Sequence, residues 1–242
     1  MEYTLVTGAT SDIGIQICKT LEESGHNLLM SDLSIDALNT LKDSLSEPSR
    51  HKVISLDLAD IEHVKDNLSA FMGENDIKIS KAVFAAGIFA IKPLKVIDYG
   101  FLKKSFDIAL FSIFVITQVL ASKKYNADAL KKIVVISSVN SKMGSKGYSI
   151  YGALKASMIG WMKNMAVELA PKVCVNAVLP GGIRTRTTQF IFDASGETIN
   201  NRYLLGNGQC SDVANMIEFL LSDKSDWITG QEFVVDGGLT CN

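Results

Sequence analysis

The feature that most constrains this chain is a regular alternation along its first 85 residues. Short, nearly uniform apolar runs fall at Tyr3–Thr7, Asn27–Ser31, Lys52–Leu56 and Lys81–Ala85. Amphipathic stretches lie between them at Ile13–Glu23, Ile35–Ser46 and Ile61–Met72. A run that is apolar on both of its alternating faces suits a strand covered on both sides. An amphipathic stretch between two such runs suits a crossover helix. Ser46-Glu47-Pro48-Ser49 breaks the second helix before the third strand. The alternation continues with a long helix at Asp98–Lys123, a strand at Ile133–Ile136, a long helix at Ile150–Leu169 and a strand at Val173–Leu179. A helix capped by a serine follows at Ser211–Ser222, then a last strand at Glu232–Val235. The expected fold is α/β: a single-domain Rossmann fold over residues 1–242, with one doubly wound parallel sheet of about seven strands and helices on both faces. Pro180 to Cys210 is the one long irregular stretch, and it is the expected substrate loop, about 180–210.

Charge and composition exclude several functions. Lys and Arg number 24 against 26 Asp and Glu, so no nucleic-acid partner is expected. A content of 47% hydrophobic and 21% charged residues is that of a globular chain, not a disordered one. The start, Met1-Glu2-Tyr3-Thr4, is not that of a signal peptide. The most apolar stretch, Ile108 to Ala121, has 14 residues. That is short of the roughly 20 needed to cross a bilayer, so no membrane partner is expected. Cys18, Cys174, Cys210 and Cys241 lie far apart, as do His26, His51 and His63, and none has the spacing of metal ligands. No metal is expected, and the setting is expected to be reducing and cytoplasmic.

The first strand runs into Gly8-Ala9-Thr10-Ser11-Asp12-Ile13-Gly14 and then a helix. Glycines let the backbone turn tightly and approach a pyrophosphate seated on the helix N-terminus, although a bare structural turn would also use them. Asp32 ends the second strand, 18 residues after Gly14. An acid there binds ribose hydroxyls and repels a 2′-phosphate, and no basic residue lies in the loop or next to Asp32. NAD is therefore the expected cofactor, with NADP the second candidate. Capping of the next helix is the plainer role for Asp32, though Ser34 could fill it.

Tyr151 and Lys155 are four apart on a predicted helix and share a face. A nearby ammonium stabilises a phenolate and should lower the tyrosine pKa into a range useful for proton transfer. A second such pair, Tyr99 and Lys103, reads as a surface helix pair. The difference is Ser138, which stands 13 residues before Tyr151 at the end of a strand, where ligands bind in such sheets.

Together these segments resemble the short-chain dehydrogenase/reductase family, including its 3-oxoacyl-acyl-carrier-protein reductase-like members. The resemblance rests on TGATSDIG (7–14), Asp32, Asp57-Leu58, AAG (85–87), ISS (136–138), YGALK (151–155), VNAVLPGGIRT (175–185) and WITGQEFVVDGG (227–238). It implies an NAD(P)-dependent oxidoreductase that interconverts a secondary alcohol and a ketone by hydride transfer. The implied catalytic residues are Ser138, Tyr151 and Lys155. The implied cofactor contacts are Gly8, Ser11, Asp12, Ile13, Gly14, Asp32, Leu33, Asp57, Leu58, Ala86, Gly87, Tyr151, Lys155, Pro180, Gly181, Ile183 and Thr185. The implied partners are a small carbonyl or alcohol substrate, such as an acyl-carrier thioester or a sugar derivative, and further copies of the chain in a homodimer or homotetramer built on the two long helices.

Three positions depart from the family pattern. Asp12 replaces a glycine and is expected to point outward. Ala85 replaces an asparagine. Ala109 stands where the family has an asparagine that supports proton relay, and Ser112 is a candidate substitute unless it is an ordinary helix residue. In the substrate loop, Arg184, Arg186, Arg202, Phe190, Phe192 and Tyr203 are candidate pocket residues, with solvated charge the plainer role for the arginines. A weakly catalytic or non-catalytic dinucleotide sensor on the same fold is the alternative function. Ala109 and Asp12 favour it, and the intact Ser138, Tyr151 and Lys155 count against it.

Overall fold

The computed structural model describes residues 1–193 and 202–241. Seven strands form one sheet: β1 Glu2–Thr7, β2 Leu28–Asp32, β3 Lys52–Ser55, β4 Lys78–Phe84, β5 Lys132–Ile136, β6 Cys174–Pro180 and β7 Glu232–Val235. Their order is β3-β2-β1-β4-β5-β6-β7, and every neighbouring pair is parallel. The order reverses at β1, which lies between β2 and β4. Ligands bind in the crevice beyond the carboxyl ends of the strands at such a reversal.

Alternation along the strands sorts side chains onto the two faces. Leu5, Phe84, Ile133, Val135, Val175 and Leu179 pack with α3 (Ile61–Glu74), α5 (Ser112–Leu120) and α7 (Ser149–Glu168). Val6, Met30, Val83, Val134, Ile136 and Val178 pack with α1 (Asp12–Glu23), α2 (Ile35–Asp43) and α8 (Cys210–Leu221). Each fully buried aliphatic side chain in these two layers contributes about 1.5–3 kcal/mol.

Two helical expectations need correction. The long helix over Asp98–Lys123 is not uniform: α4 (Tyr99–Phe106) passes through a π-helical turn at Asp107–Phe111 before α5, and a short α6 (Lys123–Asn126) follows. Apolar periodicity is blind to a single inserted residue. The helix expected from Ser211 begins at Cys210. Gln209 caps it in a reciprocal box with Asp212, whose carboxylate accepts from the Gln209 amide at 2.8 Å. Among the described residues no helix is long and apolar enough to cross a membrane, and no cluster of His, Cys, Asp and Glu could hold a metal.

Candidate active site

The turn after β1 is built by close backbone packing. Gly8 has φ +67°, and a Cβ there would lie 2.8 Å from the Ala86 backbone across the β1–β4 crevice. A side chain on Gly14 would strike the Gly8 carbonyl. Ser11 caps α1: its hydroxyl accepts from the Gly14 amide at 3.0 Å and donates to the Gly8 carbonyl at 2.8 Å. Asp32 faces this turn from the end of β2. One carboxylate oxygen accepts from the Thr10 amide at 3.0 Å and the Thr10 hydroxyl at 2.6 Å, and the other accepts from the Leu33 amide at 2.7 Å.

Asp12 does not point out into solvent, as its departure from glycine suggested. It lines the cavity, and its carboxylate accepts from the Arg186 amide and from Arg186 Nε, both at 2.5 Å. The reason lies 174 positions away in sequence, where no local pattern could reveal it.

The end of β5 is stitched to α7. The Ser137 hydroxyl donates to the Lys155 carbonyl at 2.8 Å, and the Lys155 ammonium donates to the Ile136 carbonyl at 2.7 Å. These bonds draw Lys155 under the strand end, where it is buried. Burial lowers its pKa to about 8. Tyr151, one turn earlier on α7, has its pKa pushed up to about 12. Burial is the main cause; the hydrogen bond with Ser138 opposes it, and nearby Tyr148 adds to it. The lysine was expected to lower this pKa. Its ammonium sits 5.7 Å from the Tyr151 ring centroid with its bond committed to Ile136, and desolvation of the phenolate prevails.

Ser138 is also buried. Its hydroxyl accepts from the Asn140 amide at 3.2 Å, and Asn140 reaches on to Ser145 at 3.2 Å. Phe89 and Tyr148 pack edge-on against Tyr151 with centroids 5.2 and 6.0 Å away.

One cavity of about 340 Å³ collects much of the expected site: Ser11, Asp12, Ile13, Gly87, Ser138, Tyr151, Lys155, Pro180, Gly181, Ile183 and Thr185. Gly8, Gly14 and Ala86 are not in its lining, nor are Asp32, Leu33, Asp57 and Leu58. Asp57 is exposed and caps a turn by accepting from the Ala59 amide at 2.9 Å, while Leu58 is buried. Sequence reasoning missed Phe89, Asn140, Met143, Tyr148 and Ile191, which also line the cavity. Phe89 follows β4, Asn140, Met143 and Tyr148 lie in the connection between β5 and α7, and Ile191 lies in the segment after β6; no fixed spacing links them, and only the proximity of Asn140 to Ser138 in sequence was available as a signal.

Of the loop arginines, Arg184 pairs with Asp193 at 2.8 Å and Arg186 pairs with Asp12, while Arg202 lines the cavity beside Tyr203 and Phe192. Phe190 is exposed. Ala109 is fully buried in the π turn, and a Cβ on Gly87 would lie 3.7 Å from both the Ala109 methyl and the Lys155 ammonium. The Ser112 hydroxyl is turned to its own helix, donating to the Ile108 carbonyl at 2.6 Å. Tyr99 is exposed and Lys103 pairs with Asp107 at 2.7 Å, as suits a surface pair.

Comparison with known proteins agrees with this architecture. The family model described as Enoyl-(Acyl carrier protein) reductase matches residues 8–240. The 3-oxoacyl-[acyl-carrier-protein] reductase FabG of Rickettsia felis is 32% identical over 238 residues, covering 98% of this chain and 95% of that protein. A crystal structure of a short-chain dehydrogenase/reductase, glucose/ribitol dehydrogenase, from Brucella melitensis superposes with TM-score 0.88 at 30% identity, covering 98% of this chain and 96% of that one. A gluconate 5-dehydrogenase from Burkholderia cenocepacia, in complex with NADP and tartrate, superposes with TM-score 0.91 at 25% identity, covering 100% of this chain and 96% of that one.

Proposed function

The chain belongs to the short-chain dehydrogenase/reductase family of NAD(P)-dependent oxidoreductases, and from that premise we propose that Ser138, Tyr151 and Lys155 interconvert a ketone and a secondary alcohol. The supporting observation is that these three side chains and the α1 N-terminus line one cavity at the carboxyl ends of β1, β4 and β5. The residues fit a dinucleotide. Gly8 and Gly14 let the backbone close tightly, and Ser11, Asp12 and Ile13 carry the helix end that would hold the diphosphate. Asp32 and Leu33 would meet the adenosine ribose, Asp57 and Leu58 the adenine, and Ala86, Gly87, Pro180, Gly181, Ile183 and Thr185 the nicotinamide half. Bound there, NAD(P) supplies or accepts the hydride.

Tyr151 holds its proton at neutral pH and gives it to the carbonyl oxygen as the alcohol forms. Ser138 donates a hydrogen bond to the same oxygen as charge develops. Lys155 holds the nicotinamide ribose and brings a positive charge beside Tyr151. A phenol held in its protonated form suits the reductive direction.

NAD is preferred over NADP. A 2′-phosphate beside Asp32 would meet an anchored carboxylate, and the nearest cation contacting this turn, Arg186, is bound to Asp12. The substrate is a carbonyl on a largely apolar body, because Ile88, Phe89, Met143, Tyr148, Ile191 and Phe192 are among the residues that line the cavity. An acyl-carrier thioester fits best. A second, more open cavity of about 830 Å³ shares Asn140, Met143, Ser145 and Tyr148 with the first, and Lys95 and Lys146 lie in its lining to meet an anionic carrier arm. A sugar derivative is the second candidate, favoured by Asn140, Ser145 and Arg202. Residues 1–242 act as one unit, with 180–210 as substrate loop. Phe111 at the end of the π turn, Phe114 on α5 and Val167 on α7 stay exposed and suit a homodimer or homotetramer. The non-catalytic sensor is not favoured, since the proton-transfer set is complete and buried.

The test is a panel of a 3-oxoacyl thioester, a cyclic ketone and a keto-sugar, each with NADH and NADPH. Consumption of NADH with the thioester, abolished in Tyr151→Phe, is the expected result. No turnover with any carbonyl, despite dinucleotide binding, would return the sensor to first place.

A further inference from the structure

Asp12 is the charge that a diphosphate site should not tolerate. It opens α1, and it lines the cavity where the reading above seats a diphosphate. The partial positive charge of a helix N-terminus favours an anion, but here the carboxylate and the diphosphate would compete for it. Like charges brought that close repel, and the repulsion would lower the affinity of the site.

The structure supplies the compensating charge. Arg186 reaches back from the segment after β6 and grips Asp12 at two points, its amide on one carboxylate oxygen and its Nε on the other, both at 2.5 Å. Its Nη2 also donates to the Thr10 carbonyl at 3.2 Å. A guanidinium is suited to such multidentate anchoring, whereas an ammonium would act as a point charge. The arginine side chain is 72% exposed, and ion pairs that exposed add little to stability. Its location, against the acid that opens α1 and the Thr10 carbonyl of the turn, therefore matters more than its strength.

We infer that Arg186 is a positioning residue for the dinucleotide and acts through Asp12. It cancels the carboxylate charge and holds that carboxylate toward the segment after β6, leaving the α1 N-terminus to the diphosphate. The inference rests on the reading that the Gly8–Gly14 turn holds the diphosphate. It makes positions 12 and 186 one functional unit: the acid is harmless only while the arginine holds it. It also ties binding of the dinucleotide to the seating of the segment over the substrate side of the cavity.

The experiment titrates NADH and NADPH by fluorescence against the full chain, R186A, R186K, D12N and the double variant D12N/R186A, at low and high salt, with thermal melts as folding controls. R186A should weaken binding of both dinucleotides about tenfold, because both carry the diphosphate. R186K and D12N/R186A should bind within about threefold of the natural chain, and high salt should shrink the R186A deficit. Recovery in D12N/R186A distinguishes charge cancellation from a merely structural role, which removing the acid could not rescue. Unchanged binding by R186A would overturn the inference. So would a double variant as weak as R186A, since Arg186 would then act on the dinucleotide or the loop directly. Failure of the natural chain to bind either dinucleotide is a separate result, and it would remove both the reading of the turn and this inference.

Discussion

Two lysines are buried at opposite ends of β5, and the fold treats them differently. Lys132 opens the strand. Its ammonium lies 2.6 Å from an Asp226 carboxylate oxygen and donates to the Ser222 carbonyl at 2.5 Å and the Ser225 hydroxyl at 2.9 Å. Lys155 reaches the carboxyl end of the strand from α7. It donates to the Ile136 carbonyl at 2.7 Å, has the Met158 sulfur at 3.8 Å, and forms no ion pair among the described residues. A buried ammonium with a carboxylate and two further oxygens is a fastening. One with a single strong acceptor is penalised for its charge, and its pKa falls to about 8. Withholding a counter-ion at the strand end where ligands bind marks that end for chemistry.

The contrast can be broken first by Lys155→Met. Turnover should fall at least a hundredfold, about 2.7 kcal/mol in the barrier, while the fold is kept or stabilised because an unpaired buried charge is gone. A variant with normal turnover would remove Lys155 from the site. Lys132→Met should do the reverse. It should lose about 2–3 kcal/mol of stability in a denaturant titration, with NADH affinity nearly unchanged. Equal stability losses in the two variants would erase the distinction.

A pH series sharpens it further. The folded Lys155 pKa of about 8 lies below its ordinary 10.5, so in that window the unfolded chain holds the extra proton. Stability should therefore rise as pH climbs from about 8 towards 10, by up to about 3 kcal/mol for the whole shift, and Lys155→Met should lack this rise. Tyr151 acts in the opposite sense and later. Its pKa is raised from 10 to about 12, so the unfolded chain loses its proton first and stability falls across that range. The smallest effect belongs to Ser112→Ala. Because its hydroxyl is committed to Ile108, turnover should stay within about twofold and stability within about 1 kcal/mol. A large loss of turnover would restore Ser112 as a relay.

The sheet was legible in the sequence because burial on both faces demands continuous apolar runs. The expected strand at Glu232–Val235 coincides with β7, and the others differ from the observed bounds by one to three residues at one or both ends. That Ser138, Tyr151 and Lys155 share one place was legible because a strand end and helical spacing bring them together. The partner of Asp12 was not, since residues 12 and 186 meet only through tertiary packing. The direction of the Tyr151 shift was also hidden. Spacing puts a lysine within reach of the ring but says nothing of how deeply the hydroxyl is buried or which acceptor takes the ammonium. The π turn escaped because one extra residue leaves an apolar helix apolar.

The position of β1 in the middle of the sheet also sets an order of events during synthesis. One flank of β1 pairs with β2, from Thr4 against Leu28 to Thr7 against Ser31. The other pairs with β4, up to Thr7 against Phe84. At about 5–20 residues per second, a ribosome leaves that second flank unsatisfied for several seconds after β2 has emerged. During this interval the strand that carries the glycine turn presents an open, apolar edge to whatever is nearby. Nascent chains stalled before β4 should therefore be the ones that most need a chaperone, and the turn itself cannot take its final shape until Ala86 arrives to close against Gly8.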